Sequence, residues 1–522
     1  MPRASNLFHA LRAHAPSRIA LTDASGAHTY GALLRRAARL RGALQLPAPG
    51  AAGAAGAAPP RVAVLTRPHA GFVAALLAAW AAPAAAVPLS PLYPAAALAP
   101  LLEDAAPAAV VAEDATAPLL PPHVRRRALL LEDVRGGEGS ADRDGEYAAT
   151  CDALAARCAQ AQRDAAMLLF TSGTTGRAKG VVWRHAMLAY QTRTLCEAWR
   201  WSKDDRVVNV LPLHHVHGLV NVVLTALYAG AHVEMHARFE AARVWEAVTR
   251  RDERGATVLM AVPAVYARLI EAYEAAGESR QAEMRAGARE VRLFVCGSAG
   301  LARRNFEKWE SISGQRILER YGMTETGMTL SNAYDDRRQG SLGRPLPGVE
   351  MRVRGGGEEG ELLVRGEGVF REYWQREDAT REAFDEEGWF ATGDVVRVEP
   401  RGVKMLGRAS ADIVNTGGYN VSAVEVEEVV REAEGVVDCA VIALPDRVLG
   451  EKVVAAVVAG AVGVEGKVAE VAKRLLPAYK RPRRVIVVDE LPRNVLGKVR
   501  KDQLKVVLAH MEDGERAEGE ER

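Results

Sequence analysis

The chain has 522 residues, more than a single hydrophobic core normally serves, so its length predicts two or three domains. Hydrophobic residues make up 48% and charged residues 26%, with a formal net charge of +2, so the composition indicates a globular protein and no nucleic-acid partner. The cysteines form no CxxC pair, which indicates neither a disulfide framework nor a zinc site and favours a reducing compartment.

The N-terminal segment MPRASNLFHALRAHAPSR contains arginines and no acidic residue, as mitochondrial targeting sequences do. However, Leu7, Leu11 and Ile19–Leu21 fit the first helix and strand of a fold. We therefore expect a cytoplasmic protein, with the mitochondrial matrix as the alternative. The apolar run from Gly71 to Pro88 is alanine-rich and contains two prolines, so we predict a buried helix leading into a strand, not a membrane span.

Further along the chain, short β-branched runs alternate with helical stretches. The runs are RVAVLT, AAVVAED, RVVNVLP, ATVLMAVP and VRLFVCGS. This alternation predicts an α/β fold with parallel-rich sheets covered by helices. After about residue 400 the strands shorten, which predicts a small α+β domain of about 110 residues. The predicted boundaries are an N-terminal domain over 1–406, a hinge at 407–411 and a mobile C-terminal domain over 412–522.

A Thr/Gly-rich loop, LFTSGTTGRAKG, follows the apolar run AAMLLF at a predicted strand end. Its backbone N–H groups, hydroxyls and lysine can converge on an anion, although it ends in AKG where a Walker-type loop would end in GKS or GKT. We predict that the phosphate-binding residues are Thr171, Ser172, Gly173, Thr174, Thr175, Gly176 and Lys179. The alternative is a flexible loop that binds nothing.

The loop also resembles the signature of the adenylate-forming superfamily, which includes acyl-CoA synthetases, luciferases and the adenylation domains of peptide synthetases. The resemblance continues, in order, through LPLHHVHG, ERYGMTETG, GELLVRG, WFATGD, LGR and PRNVLGKVRK. It implies that a carboxylate attacks the α-phosphate of ATP and releases pyrophosphate, after which the thiol of coenzyme A displaces AMP. Both steps need stabilisation of charge rather than a protein nucleophile.

The resemblance implies roles for individual residues at the nucleotide. Tyr321 would pack against adenine, Thr324 would contact the α-phosphate, and Glu325 would hold Mg²⁺, for which a carboxylate and phosphate oxygens are suitable ligands. Asp394 would accept hydrogen bonds from the ribose hydroxyls, with Arg408 as its companion.

Two further roles implied by the resemblance concern the reacting groups. Lys498, from the small domain, would be the catalytic lysine that bridges the substrate carboxylate and the α-phosphate, and His215 would lie beside the acyl group. Since Lys498 is needed only for the first half-reaction, the small domain would swing between the two. One departure is Ser410, which stands where many members have Lys or Asp two residues after Arg408.

Four strings, LPLHHVHGLVN, TVLMAVPAVYARLIEAY, VRLFVCGSAG and FREYW, most resemble the malonyl-CoA synthetase branch. This resemblance implies malonate as the acid and a cation facing its far carboxylate, for which we select Arg268, with Arg292 as a weaker candidate. Ser298 and His217 would line the same pocket. If Arg268 is buried, an alkyl tail would leave it unpaired at a cost of about 3–5 kcal/mol.

Several alternatives remain open from the sequence. Periodicity alone fits a solvent-facing Arg268 on an amphipathic helix. The acid could be methylmalonate, acetate or a coumarate, because one methyl group changes binding by only about 1–3 kcal/mol. A non-catalytic nucleotide-binding protein and an adenylation module that serves a separate carrier protein are the remaining interpretations.

Overall fold

The structure is a computed structural model that describes residues 7–46, 58–134, 152, 164–171, 178–252, 254–409, 411–417, 419–446, 448–493 and 498–520. Its α-helices are α1 (Leu7–Ala13), α2 (Tyr30–Ala43), α3 (Ala70–Ala81), α4 (Ala95–Ala105), α5 (Pro122–Arg125), α6 (His185–Ala198), α7 (Thr225–Ala229), α8 (Ala241–Thr249), α9 (Pro263–Glu274), α10 (Glu278–Glu290), α11 (Arg303–Ser313), α12 (Glu377–Ala383), α13 (Ala423–Val430), α14 (Val464–Leu475) and α15 (Lys501–Glu520). A π-helix spans His217–Leu224, and short 3₁₀ helices span Ala117–Leu119 and Ala478–Lys480.

The strands of the described residues are β1 (Ile19–Asp23), β2 (Gly26–Thr29), β3 (Arg61–Leu65), β4 (Ala85–Pro88), β5 (Ala109–Ala112), β6 (Leu129–Leu130), β7 (Ala165–Thr171), β8 (Lys179–Arg184), β9 (Arg206–Asn209), β10 (His232–Met235), β11 (Val258–Ala261), β12 (Leu293–Cys296), β13 (Leu318–Met323), β14 (Gly327–Ser331), β15 (Arg344–Pro345), β16 (Val349–Val353), β17 (Glu359–Gly366), β18 (Phe390–Glu399), β19 (Gly402–Arg408), β20 (Ile413–Thr416), β21 (Tyr419–Ser422), β22 (Val436–Asp446), β23 (Gly450–Ala459) and β24 (Arg484–Val488).

Two large sheets form the first part of the chain. One has nine strands in the order β15-β14-β13-β12-β11-β9-β10-β1-β2, and the other has six in the order β6-β5-β3-β4-β7-β8. The inner neighbours run parallel, whereas the hairpins β1–β2, β7–β8 and β13–β14 are antiparallel. Strands such as β11 and β12 are buried along their whole length, which explains why they read as continuous apolar runs. The predicted α/β architecture is confirmed.

The two apolar N-terminal features form elements of the fold. Leu7 and Leu11 lie buried in α1, as the sequence predicts. Every residue of α3 is buried, and the chain then enters β4 at Ala85, so the run from Gly71 to Pro88 is a buried helix followed by a strand. Among the described residues, no helix combines the length and apolar character that crossing a membrane requires.

The last part of the chain is a smaller α+β unit, as predicted. An antiparallel sheet, β16-β17-β18-β19, precedes it, and its own sheet has the order β21-β20-β23-β22 with β24 beside β23. Helices α13 and α14 share one core with this sheet, while Leu504 and Leu508 of α15 belong to a second core. Because β19 ends at Arg408 and β20 begins at Ile413, the predicted hinge at 407–411 lies at the junction of the two sheets.

Candidate active site

Several candidate site residues follow the carboxyl ends of strands in the nine-stranded sheet. Neighbouring strands β12 and β13 end at Cys296 and Met323, directly before Gly297–Ser298 and Thr324–Glu325. Strand β9 ends at Asn209, shortly before the segment LPLHHVHG. In open α/β sheets, the crevice outside the carboxyl ends of the strands is the usual place for a ligand. Strand order therefore brings together motifs that are far apart in the sequence.

The Thr/Gly-rich loop connects β7 to β8, so it does follow an apolar strand. Thr171 and Lys179 are register partners at its mouth, and the Thr171 hydroxyl donates to the Lys179 carbonyl oxygen at 3.4 Å. The Nζ atom of Lys179 lies 5.0 Å from the centroid of the Tyr373 ring. The other predicted phosphate-binding residues lie outside the described residues: Ser172, Gly173, Thr174, Thr175 and Gly176.

Tyr321, Asp394 and Arg408 form one bonded group. The Tyr321 hydroxyl donates to Oδ2 of Asp394 at 2.6 Å, and Nε of Arg408 lies 2.8 Å from Oδ1. Asp394 and Arg408 are register partners in β18 and β19, so strand pairing itself places the guanidinium beside the carboxylate. Burial raises the pKa of Asp394, and Arg408 and the Tyr321 hydrogen bond oppose that effect. Tyr321 and Arg408 thus hold the Asp394 carboxylate in one orientation, in which it can accept hydrogen bonds from the hydroxyl groups of a ligand.

Glu325 is a buried carboxylate close to this group. The Tyr373 hydroxyl donates to its Oε1 at 3.0 Å. Burial raises the pKa of Glu325, whereas the charges of Arg408 and Lys179 lower it. Among the described residues no group of three or more His, Cys, Asp or Glu side chains is arranged to hold a metal ion. A hard cation at Glu325 would therefore take its other ligands from phosphate and water, which suits Mg²⁺.

Thr324 lies in the turn that connects β13 to β14. The indole N–H of Trp183 donates to its carbonyl oxygen at 2.8 Å, which ties the backbone of this turn to β8. Thr324 is half-buried and directly precedes Glu325, and its contact with the α-phosphate stays a prediction.

Lys498 precedes α15 and has an exposed side chain. Its positive charge acts on the carboxylates of Asp394 and Asp412. The structure thus brings a lysine of the C-terminal unit close to the group that contains Tyr321 and Arg408. The catalytic role implied for Lys498 stays a prediction.

The segment LPLHHVHG contains three histidines: His214, His215 and His217. The rings of His214 and His215 are 4.0 Å apart, and Tyr93 packs edge-on against His214 at 5.6 Å. Burial lowers the pKa of His215 to about 4 and holds those of His214 and His217 well below their usual range. All three rings are therefore neutral at neutral pH, and their Nε2 atoms have no partner in the described part of the chain.

His217 and Ser298 lie close together, as predicted for pocket residues. The Ser298 hydroxyl is 3.4 Å from Nδ1 of His217. Ser298 has a φ of +72°, a left-handed conformation that is unusual for a non-glycine residue and is often found at functional sites. Four residues after His217 in the π-helix, Asn221 is fully buried, and neither polar atom of its amide has a partner among the described residues. π-Helical segments often mark functional sites.

Arg320, which we did not select from the sequence, is the buried cation next to this pocket. It is 2% exposed, and its Nε and Nη2 atoms have no hydrogen-bond partner in the described residues. A Cβ atom on Gly297 would lie 2.4 Å from its Nη1, so the guanidinium occupies the space of the missing side chain. Burial lowers the pKa of Arg320 to about 10, and its charge contributes to the low pKa of His217. Arg320 is thus charged at neutral pH.

The two arginines that we did select have different surroundings. Arg268 lies on α9 with its side chain exposed, so the burial on which its discrimination against alkyl chains depended is absent. Nε of Arg292 lies 2.6 Å from Oδ1 of Asp205, and Nη2 lies 2.7 Å from Oδ2, so the Asp205 carboxylate already neutralises the charge of Arg292. The ion pair with Asp205 argues against Arg292 as the residue that binds the substrate carboxylate, and Arg320 is the buried arginine in this region. The clue in the sequence was an arginine directly before Tyr321 in the motif ERYGMTETG, in a strand that is buried from Leu318 to Tyr321.

Comparison with known proteins agrees with this geometry. The family model described as AMP-binding enzyme matches residues 8–374, and the model for the C-terminal domain of the same enzymes matches residues 425–498. The chain belongs to the AMP-binding enzyme family. Among the relatives of this family member is the human mitochondrial malonate–CoA ligase ACSF3, which is 38% identical over 525 residues, 93% of this chain and 89% of the relative.

Two solved structures resemble this AMP-binding enzyme to different degrees. ATP-bound MatB from Rhodopseudomonas palustris has a TM-score of 0.81 at 33% identity, covering 97% of this chain and 99% of that one. A malonyl-CoA ligase with bound methylmalonyl-CoA and AMP has a TM-score of 0.64 at 35% identity, covering 93% and 100%. The overall structural similarity is therefore higher to the ATP-bound relative, although the product complex is slightly more similar in sequence.

Proposed function

We propose that this enzyme is a malonate:CoA ligase, which converts malonate, ATP and coenzyme A into malonyl-CoA, AMP and pyrophosphate. The observation that carries the proposal is the buried Arg320 guanidinium, which has no carboxylate partner among the described residues. An unpaired buried charge is unfavourable, and an anionic ligand removes that cost. Malonate carries a second carboxylate that can supply this anion, whereas the methyl end of a fatty acid cannot.

The surroundings of Arg320 support a short, polar acid. His217, Ser298 and Asn221 add neutral polar atoms, and several of them lack partners in the described residues. An alkyl tail would leave these atoms without hydrogen bonds, at about 1–3 kcal/mol for each group. The relatives with the printed names malonate–CoA ligase and MatB support the same choice of acid.

The nucleotide end of the site supports an adenylate-forming first step. Asp394, held by Tyr321 and Arg408, would bind the ribose hydroxyls of ATP, and Thr324 would contact the α-phosphate. Lys179 and the rest of the loop would bind the outer phosphates. Glu325 would hold Mg²⁺, which supplies positive charge to the phosphates when bound.

In the first step, Lys498 would bridge the reacting carboxylate and the α-phosphate. For the second step, the C-terminal unit would move so that the thiol of coenzyme A can attack. Malonate, ATP and coenzyme A are the proposed small-molecule partners, without a nucleic acid. The cytoplasm stays the predicted compartment, and the human relative carries the word mitochondrial in its name.

Two variants test which arginine, Arg320 or Arg268, binds the second carboxylate of malonate. We expect Arg320→Met to lower kcat/KM for malonate by about 100-fold or more, because the second carboxylate loses its buried counter-charge. Arg268→Met, an equal change at an exposed site, is expected to stay within about threefold of the wild type. The measurement is malonate-dependent exchange of pyrophosphate into ATP, with acetate as a second substrate for each variant.

The same variants provide their own control for folding. Removal of an unpaired buried charge should leave the melting temperature of Arg320→Met equal to or above that of the wild type. A large loss of malonate exchange in Arg268→Met, together with normal exchange in Arg320→Met, would show that the exposed arginine binds the far carboxylate. Normal exchange with acetate but none with malonate in the wild type would refute malonate as the substrate.

A further inference from the structure

A buried lysine lies three residues after Lys498, at the first position of α15. The Nζ atom of Lys501 is 2.5 Å from Oδ1 of Asp412 and 2.6 Å from Oε1 of Glu427. The three side chains are 13%, 16% and 9% exposed, so this is a largely desolvated cation between two carboxylates. Lys501 therefore fixes the start of α15 relative to Asp412, the residue that follows the predicted hinge.

Asp412 connects this ion pair to the nucleotide site. Its second oxygen, Oδ2, accepts the backbone N–H of Arg408 at 2.9 Å, and its own N–H donates to the Arg408 carbonyl oxygen at 2.7 Å. The guanidinium of Arg408 contacts Asp394, as described above. A continuous set of contacts thus runs from Lys501 through Asp412 and Arg408 to the carboxylate proposed to bind ribose.

The hinge backbone is shaped for this contact. Gly407 has a φ of +132°, and a Cβ atom there would lie 2.4 Å from Cβ of Asp412. A glycine at 407 thus allows the chain to fold back so that Asp412 reaches Arg408. The close approach depends on the backbone conformation of Gly407, so a rotation of the C-terminal unit about this residue would change it.

We propose that Lys501 is a positioning residue for adenylate formation, which holds Asp412 on the backbone of Arg408 and thereby keeps Lys498 beside the nucleotide site. The inference rests on the proposed function for the reaction that it serves. Lys501 acts through Asp412 and does not touch the reacting atoms. Lys501 is three residues from Lys498, so the residue held by Asp412 and the lysine proposed to be catalytic belong to the same short segment.

The proposal predicts unequal effects on the two half-reactions. In Lys501→Met, which retains the length but loses the charge, malonate-dependent pyrophosphate exchange should fall about 100-fold, because misplacement by about 1 Å is enough for such a loss. Formation of malonyl-CoA from supplied malonyl-adenylate should stay within about threefold of the wild type. Lys501→Arg retains the cation and should restore most of the exchange activity. A purely structural ion pair would instead lower both half-reactions by the same factor.

A second measurement needs no acid substrate. Trypsin cleavage after Arg408 should be faster in Lys501→Met than in the wild type or Lys501→Arg, while cleavage after the exposed Arg381 serves as the internal reference. Unchanged cleavage at Arg408, or equal acceleration at both sites, would overturn the proposed positioning role. Absence of malonate exchange in the wild type would refute the proposed substrate, and the cleavage result would still decide the role of Lys501.

Discussion

Arg320 and Glu319 are neighbours in β13, and burial disfavours the charged form of both. The pKa of Arg320 falls to about 10, so the guanidinium stays protonated at neutral pH. The pKa of Glu319 rises to about 7 through burial, although the backbone N–H of Gly340 donates to its Oε1 at 2.7 Å. One strand thus holds a charged arginine and a carboxyl group that ionises only near neutral pH.

Glu319 makes stability depend on pH in a defined direction. The pKa of its carboxyl group is about 7 in the folded protein and 4.5 ordinarily, so the folded state holds this proton more tightly than the unfolded state does. The free energy of unfolding therefore falls as pH rises from 4.5 to about 7, and the loss is complete above that pH. Glu319→Gln should therefore raise the free energy of unfolding at pH 8 by up to about 3 kcal/mol and leave it unchanged at pH 4.5. Urea unfolding at both pH values measures this difference.

An exposed carboxylate provides the control for this prediction. Glu386→Gln removes the same charge at a solvent-exposed position and should change stability little at either pH. If Glu319→Gln were destabilising at pH 8, the ionised carboxylate would be making a favourable contact, and the assignment of burial as the dominant effect would be wrong.

At the scale of elements, the site depends on close packing between β12 and β13. Gly297 follows β12 and leaves space for the guanidinium of Arg320 from β13. A Cβ atom on Gly297 would also lie 2.8 Å from the carbonyl oxygen of Arg320, so Gly297→Ala should displace both the guanidinium and the backbone of β13 without changing any charge. We expect a loss of about tenfold or more in kcat/KM for malonate. Gly300→Ala, where a Cβ atom would meet nothing within 4 Å, is the matched control. Equal kinetics for the two variants would contradict the role of this packing.

The structure brings the predicted nucleotide residues into contact, whereas Arg268, the arginine selected for the acid pocket, is exposed. Tyr321, Asp394 and Arg408 lie in short motifs whose resemblance assigns a role to each position, and strand pairing brings them together. Arg320 was missed because its guanidinium occupies space beside Gly297, directly after the neighbouring strand β12, a relation that appears only after folding. Arg268 was ambiguous because helical periodicity alone does not distinguish a pocket from solvent.

The predictions of fold differ in the same way. Alternating apolar runs and helical stretches were sufficient to predict parallel sheets, because the inner strands are buried on both faces. The antiparallel hairpin β7–β8 and the π-helix at His217–Leu224 were not predicted, since their sequences do not depart clearly from ordinary apolar runs. These two elements position Lys179, His217 and Asn221.

At the scale of the whole molecule, the role proposed for Lys498 requires an arrangement of the two units in which this lysine reaches the nucleotide. Its charge already acts on Asp394 in this structure. We expect Lys498→Ala to lower malonate-dependent pyrophosphate exchange by at least about 100-fold, since the developing negative charge loses its counter-charge. Malonyl-CoA formation from supplied malonyl-adenylate should be largely retained. Equal losses in both half-reactions would refute a role confined to the first.

The most direct test of the account is AMP release by the wild-type enzyme with ATP, Mg²⁺ and coenzyme A. Malonate, methylmalonate, acetate, octanoate and 4-coumarate are compared at matched concentrations. A pocket built around the buried Arg320 predicts strong preference for malonate, with methylmalonate next, because both present a second carboxylate. Preference for acetate, octanoate or 4-coumarate would contradict the assignment of Arg320 and with it the proposed substrate.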